Sequence, residues 1–147
     1  VNAREAFLIA IAAHQGQDDK GGVPYIFHPL SVADKVKGLG EDFEVVALLH
    51  DVLEDTRYPL HESDWSPRQR EAIFAITQRR DEPYFDYIRR CREDFIARVV
   101  KVADLRHNLS PERNGVLPEK EAASLRARYE KSLEILDGTD AAASPGS

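Results

Sequence analysis

Apolar residues recur at three- and four-residue intervals along most of the chain, and no stretch of strand length alternates apolar with polar. That periodicity predicts helices. The first runs over 2–14 with a stripe of Phe7, Leu8, Ile11 and Ala12. Residues 15–24 are turn chemistry, with three glycines and Pro24, and form a candidate rim for a ligand. Pro29 biases His28 away from helical dihedrals and suits the first turn of a second helix, marked by Leu30, Ala33 and Val36 and closed by Gly38 and Gly40. Phe43, Val46, Leu49 and Leu53 trace the inner face of a third, continuous to Thr56. Ser66, Pro67 and Gln69 are an N-cap, a first-turn proline and a capping-box partner for a fourth helix, with Ala72, Ile73 and Ile76 inside. Tyr84, Tyr87 and Ile88 mark a fifth; Ile96, Val99, Val100 and Ala103 mark a sixth. A last helix starts at Pro118, carries Leu125, Tyr129, Leu133 and Leu136, and stops at Gly138. The expected fold is all-α, one compact bundle of about six to seven helices over 1–138, with 139–147 a small-residue tail expected to be disordered.

Polar residues interrupt these stripes at three places. In the third helix His50 and Asp51 follow an apolar run, and Asp51, Glu54 and Asp55 stand at i, i+3 and i+4 on one side. Like charges at that spacing repel, so the run is either a solvated acidic turn or one side of a cation site. Asp104 falls four residues after Val100 and should face inward, where an ionised carboxylate is costly without a partner. His28 sits between an aromatic run and a proline. A shared metal explains His28, His50, Asp51 and Asp104 together: two imidazoles and two carboxylates suit Mn²⁺, Fe²⁺ or Zn²⁺ better than Ca²⁺. Helical bundles build such sites where facing helices meet.

Composition narrows the partners. The 147 residues suit one domain, and a net charge of −6 argues against a nucleic-acid backbone as main partner. An anionic small ligand would then need a local positive site. No apolar run approaches the roughly 20 residues of a membrane span. The single cysteine, Cys91, fits a reducing compartment and reads as a half-buried packing residue; with no secretory signal pattern, the cytoplasm is the expected location.

Three blocks, Tyr25-Ile26-Phe27-His28-Pro29-Leu30-Ser31-Val32-Ala33, Ala47 through Thr56 with its His50-Asp51 pair, and Val100 through Leu109, occur in an order and at separations that resemble the HD-domain metal-dependent phosphohydrolases. Within that family they look like the hydrolase domain of the Rel/SpoT alarmone enzymes and their small stand-alone relatives. The resemblance implies a helical domain in which His28, His50, Asp51 and Asp104 bind one divalent metal, typically Mn²⁺, with Mg²⁺, Fe²⁺ or Zn²⁺ as alternatives. It also implies that Glu54 and Asp55 handle the attacking water and that Asn108 and a basic loop contact a small nucleotide. The implied reaction removes the 3′-pyrophosphate of guanosine tetra- or pentaphosphate. Other readings are a nucleotidase or nucleoside triphosphate hydrolase of different specificity, or a catalytically silent nucleotide-binding module. The chain departs from the family at Asp19-Lys20, where an Arg-Lys pair is usual, which leaves Lys20 as the loop's cation and puts a carboxylate where a polyphosphate would be repelled. Arg79, Arg80, Arg89 and Arg90 could compensate, though they read first as a solvated helix face. His107, Lys101, His14 and His61 are weaker candidates. His14 suits a helix C-terminus without any catalytic role, and His61 a solvent-facing loop.

Overall fold

The computed structural model describes residues 1–139. The tail expected to be disordered lies outside the described residues from position 140 onward. Among the described residues there are eight α-helices and no strand beyond one isolated bridge, Asp18 to Pro24. In chain order they are α1 (Ala3–Ala13), α2 (Phe27–Val36), α3 (Glu41–Leu49), α4 (Val52–Asp55), α5 (Pro67–Ile76), α6 (Tyr84–Arg92), α7 (Phe95–Asn108) and α8 (Glu119–Asp137).

Local chemistry sets the helix ends. Asn2 and Glu5 form a capping box on α1, and Ser66 and Gln69 form the expected one on α5. Asp94 caps α7 by accepting from the Ala97 N–H, and α8 stops at Gly138, whose φ of 77° is the left-handed cap. Helix α3 packs against α1, α2, α5 and α7, so Val45, Val46, Ala47 and Leu49 have no exposed area. Cys91 is fully buried in the same core rather than half-buried.

Three expectations need correction. Helix α1 buries Ala6 and Ala10, with Ile9 and Ala13 half-buried, while Phe7, Leu8 and Ile11 lie outside at 38 %, 56 % and 42 % exposure. The small alanines form the face packed toward α3, and the larger apolar side chains point away from it. Helix α2 begins at Phe27, before the proline, so His28 is within it; Pro29 is tolerated because a first-turn N–H has no intrahelical acceptor. The third helix is not continuous to Thr56. His50 Nδ1 donates to the Ala47 carbonyl at 2.6 Å, the acceptor an uninterrupted helix reserves for the Asp51 N–H, and Asp51 takes φ −100°, ψ −7°. The chain resumes as α4 with a changed register, burying Val52 and leaving Leu53 37 % exposed.

Candidate metal centre

The break between α3 and α4 aims two adjacent side chains at one point. His50 Nε2 lies 3.1 Å from Asp51 Oδ2. From α2, His28 Nε2 comes to 2.7 Å of Asp104 Oδ1 on α7 and 3.5 Å of Asp51 Oδ2, and His50 Nε2 is 3.3 Å from the same Asp104 oxygen. One donor atom from each of the four residues lies within 4.8 Å of the others, so His28, His50, Asp51 and Asp104 form a cluster that could hold a metal ion. His28, His50 and Asp104 are buried; Asp51 is half-buried.

The hydrogen bonds behind the ligands test that fit. With Nδ1 donating to Ala47, a neutral His50 turns an unprotonated Nε2 toward two carboxylate oxygens, an arrangement that requires a cation or a second proton. Behind His28, its Nδ1 is 2.7 Å from His107 Nδ1, and His107 Nε2 is 2.8 Å from Glu112 Oε1. The line Glu112, His107, His28, Asp104 has three polar gaps, and two neutral imidazoles supply only two protons. If these fill the gaps at Glu112 and between the rings, His28 Nε2 is left as a lone pair facing Asp104, the tautomer a metal ligand needs. Burial also lowers the pKa of His107 despite the opposing pull of Glu112, which keeps that ring neutral.

The electrostatics run the same way. Burial works against charge on His50, but Asp51 and Asp104 outweigh it and raise its pKa well above the ordinary value. Asp51 and Asp104 are held well below the carboxylate range: burial opposes this, and His50 for the first and Lys101 for the second overcome it. Lys101 Nζ donates to Asp104 Oδ2 at 2.8 Å, so one carboxylate oxygen faces the cluster and the other is held by a half-buried ammonium. Lys101 was a weaker candidate in the sequence; its position three residues before Asp104 was the signal. The Tyr25 hydroxyl donates to Asp51 Oδ2 at 2.7 Å and lies 3.3 Å from Asp55 Oδ2, joining the cluster to one of the two expected proton handlers. Glu54 accepts from the Gln78 N–H ahead of α6 through Oε1. Partial burial raises the pKa of both Glu54 and Asp55, with the Asp51 charge adding to it.

Beside the cluster lies a cleft of about 200 Å³ lined by Asp19, Lys20, Tyr25, Asn108, Arg113 and Tyr129, among others. Asn108 Nδ2 reaches Asp104 Oδ1 at 3.5 Å, and Lys20 is paired with Glu121 of α8. Asp19 is not a free negative charge. Its Oδ1 accepts from the N–H groups of Gly21 and Val23, both at 2.9 Å, and its Oδ2 lies 3.5 Å from Arg113 Nη1. Of the arginines considered as compensation, Arg90 is neither a ligand contact nor a solvated residue: it is bonded to Glu82 and to carbonyls at the end of α5. Arg89 pairs with Asp86, and Arg79 and Arg80 are exposed. His14 caps α1, buried, with Nδ1 2.8 Å from Gln17 Oε1, and His61 is exposed. Arg113 and Glu112 went unnoticed in the sequence because they sit in a non-periodic turn.

Fold and cluster together define a class: a helical protein in whose centre two imidazoles and two carboxylates, from α2, the α3–α4 break and α7, meet closely enough that they could hold one cation. No family model matches the chain. The bifunctional (p)ppGpp synthase/hydrolase SpoT of Escherichia coli (strain K12) is 49 % identical over 55 residues, 36 % of this chain and 8 % of that protein. A probable GTP pyrophosphokinase of Mycobacterium leprae (strain TN) is 33 % identical over 146 residues, covering 90 % of this chain and 18 % of the relative. A solved structure titled "A metazoan ortholog of SpoT hydrolyzes ppGpp and plays a role in starvation responses" superposes with TM-score 0.74 at 22 % identity, over 96 % of this chain and 88 % of that one, which shows a common fold. Over most of its length the chain is thus similar to one part of the longer Rel/SpoT enzymes, and it shares the helical fold of the metazoan SpoT ortholog. It spans 8 % of the first of these curated relatives and 18 % of the second.

Proposed function

We propose that the chain is a metal-dependent phosphohydrolase acting on a nucleotide, and that its substrate is guanosine-3′,5′-bis(diphosphate), from which it removes the 3′-pyrophosphate. The observation that carries this reading is the convergence of four donor atoms within 4.8 Å, beside a cleft that contains Lys20 and Asn108. The substrate is suggested by relatives such as the guanosine-3′,5′-bis(diphosphate) 3′-pyrophosphohydrolase of Haemophilus influenzae, 53 % identical over 53 residues.

In this reading His28, His50, Asp51 and Asp104 hold one divalent ion, Mn²⁺ by preference, with Mg²⁺, Fe²⁺ or Zn²⁺ as alternatives for a mixed nitrogen and oxygen shell. Bound there, the ion supplies Lewis-acid polarisation of a phosphoryl oxygen and a water of lowered pKa. The chain's own side chains do the rest. Asp55 and Glu54 take and relay the water's proton as its oxygen bonds to the phosphorus attached at the ribose 3′ position. The bond from that phosphorus to the 3′-oxygen breaks, pyrophosphate leaves, and the 3′-oxygen is protonated to give GDP. Tyr25 positions Asp55 against Asp51 through its hydroxyl. Asn108 offers a donor and an acceptor to ribose or base, and Lys20 a positive charge to phosphate. With Cys91 a buried free thiol, and no helix among the described residues long and apolar enough to cross a membrane, a cytoplasmic setting is part of the proposal.

The test is product analysis with Mn²⁺. Pyrophosphate plus GDP from guanosine tetraphosphate supports the reading; inorganic phosphate from a mononucleotide points to an HD nucleotidase of other specificity; metal binding with no turnover of any nucleotide points to a silent binding module. Asp51→Ala is expected to lose both metal and activity, and Glu54→Ala to keep the metal and lose activity. Hydrolysis surviving in the Asp51 variant would refute the site.

A further inference from the structure

Two cations face the cleft, and they are held differently. The Lys20 side chain is 64 % exposed on a flexible stem and is already paired with Glu121. Arg113 is 19 % exposed and fixed from three directions. Its Nε donates to Asn108 Oδ1 at 3.0 Å, its guanidinium carbon stands 5.7 Å from the Tyr25 ring centroid, and Nη1 lies 3.5 Å from Asp19 Oδ2. The last contact is loose. At 3.5 Å it is longer than a charge-assisted hydrogen bond and involves one nitrogen where a guanidinium can offer two in parallel. Asp19 cannot close the gap freely, because its other oxygen is tied to the Gly21 and Val23 amides. The guanidinium is therefore pre-oriented, incompletely compensated, and one side chain from the ligand cluster by two routes: through Asn108 to Asp104 and across Tyr25 to Asp51.

We infer that Arg113 is the residue through which the cleft takes a phosphate group of its substrate, and that Asp19 sets the affinity by competing for the same guanidinium. This rests on the phosphohydrolase reading above. A phosphate offers two oxygens to the fork and replaces one long carboxylate contact, while Asp19 stays behind as a negative neighbour. The pair thus favours ligands with enough negative charge to displace Asp19, such as a pyrophosphate-bearing nucleotide, over a monophosphate or a nucleoside.

Three single variants test it by steady-state kinetics on guanosine tetraphosphate and, independently, by calorimetric binding of inorganic pyrophosphate. Arg113→Ala is expected to raise KM and the pyrophosphate Kd about tenfold or more, with kcat and Mn²⁺ affinity little changed. Arg113→Lys, keeping the charge without the fork, should fall between. Asp19→Asn keeps an acceptor for the Gly21 and Val23 amides and removes the competing charge, so KM and Kd should drop several-fold. In an Arg113→Ala background, Asp19→Arg returns a guanidinium from the other side of the cleft and should recover part of the loss. Wild-type KM and Kd in Arg113→Ala, or weaker binding in Asp19→Asn, would overturn the inference while leaving hydrolysis intact. If the wild-type protein hydrolyses no nucleotide yet pyrophosphate binding follows this order, the phosphohydrolase reading fails and the role of Arg113 stands.

Discussion

His107 stands behind His28 with the two rings nearly parallel, 5.0 Å between centroids at an angle of 10°. It touches none of the carboxylates in the cluster; in the tautomer that turns the His28 Nε2 lone pair toward Asp104, it is His107 Nδ1 that accepts from His28 Nδ1, 2.7 Å away. Removing that acceptor strands a buried donor and frees the ring to adopt the other tautomer. His107→Phe is therefore expected to weaken Mn²⁺ binding by roughly 10- to 100-fold, read by calorimetry on the folded variant. His107→Gln keeps an amide oxygen in reach and should retain most of the affinity. Equal affinity in the Phe variant and the wild type would show that the ring is packing alone. Glu112, with a side chain 71 % exposed, completes the line to solvent and should matter less than His107. The four cluster residues were visible in the sequence because each breaks an apolar stripe with a polar group facing inward. Tyr25, Lys101 and His107 lie on the motifs around them. Arg113 could be found only once folding brought its turn against the loop that carries Asp19.

Between elements, Arg90 is a polar fastening with several partners. Its Nε and Nη2 bond Glu82 Oε2 and Oε1, both at 2.9 Å, while Nη1 and Nη2 also donate to the carbonyls of Phe74 and Thr77 at 2.9 and 2.8 Å. One guanidinium thus satisfies orphan carbonyls at the end of α5 and ties them to α6. Arg90→Met takes the guanidinium donor from those carbonyls and leaves Glu82 only the Arg79 N–H, and it is expected to cost about 2–3 kcal/mol, read as a lower urea midpoint at unchanged slope. Arg90 also holds Glu82 at about 2 against an ordinary 4.5. A depressed carboxyl adds stability that is complete above its unfolded pKa and is lost as pH falls toward the folded one, so this contribution should fade between about pH 4.5 and about 2 and be smaller in Arg90→Met, where only Arg79 still favours the charged form. The helices themselves were legible from caps and period: the α5 capping box and the stripe Ile96, Val100, Ala103 on α7 stand where periodicity put them. Orientation was less so. In α1 both faces carry apolar residues, and only the close approach of α3 decides that alanines go in and Phe7, Leu8 and Ile11 stay out. The break at His50 was invisible because the competition for the Ala47 carbonyl comes from a side chain, and a hydrophobic pattern does not record it.

Across the whole molecule, α2, the α3–α4 break and α7 each bring part of the cluster, so one small group of atoms pins three segments far apart in sequence. That arrangement loads the core with two carboxylates and two imidazoles, a costly burden for a domain whose net stability is of order 5–15 kcal/mol. Lys101 and a proton on His50 relieve part of it. A divalent cation would relieve more, and because the ligands are assembled only in the folded chain, its binding free energy adds to folding stability. At a free Mn²⁺ concentration of about 100 times Kd the gain is about 2.7 kcal/mol, which for a domain near this size raises Tm by roughly 8 °C. The shift should vanish with EDTA and in Asp51→Ala, should persist in Glu54→Ala, and should shrink in His107→Phe with the logarithm of its lost affinity. A shift of equal size in Asp51→Ala would mean that the ion acts elsewhere on this acidic chain, and the cluster would then be a buried ion-pair network holding three helices together.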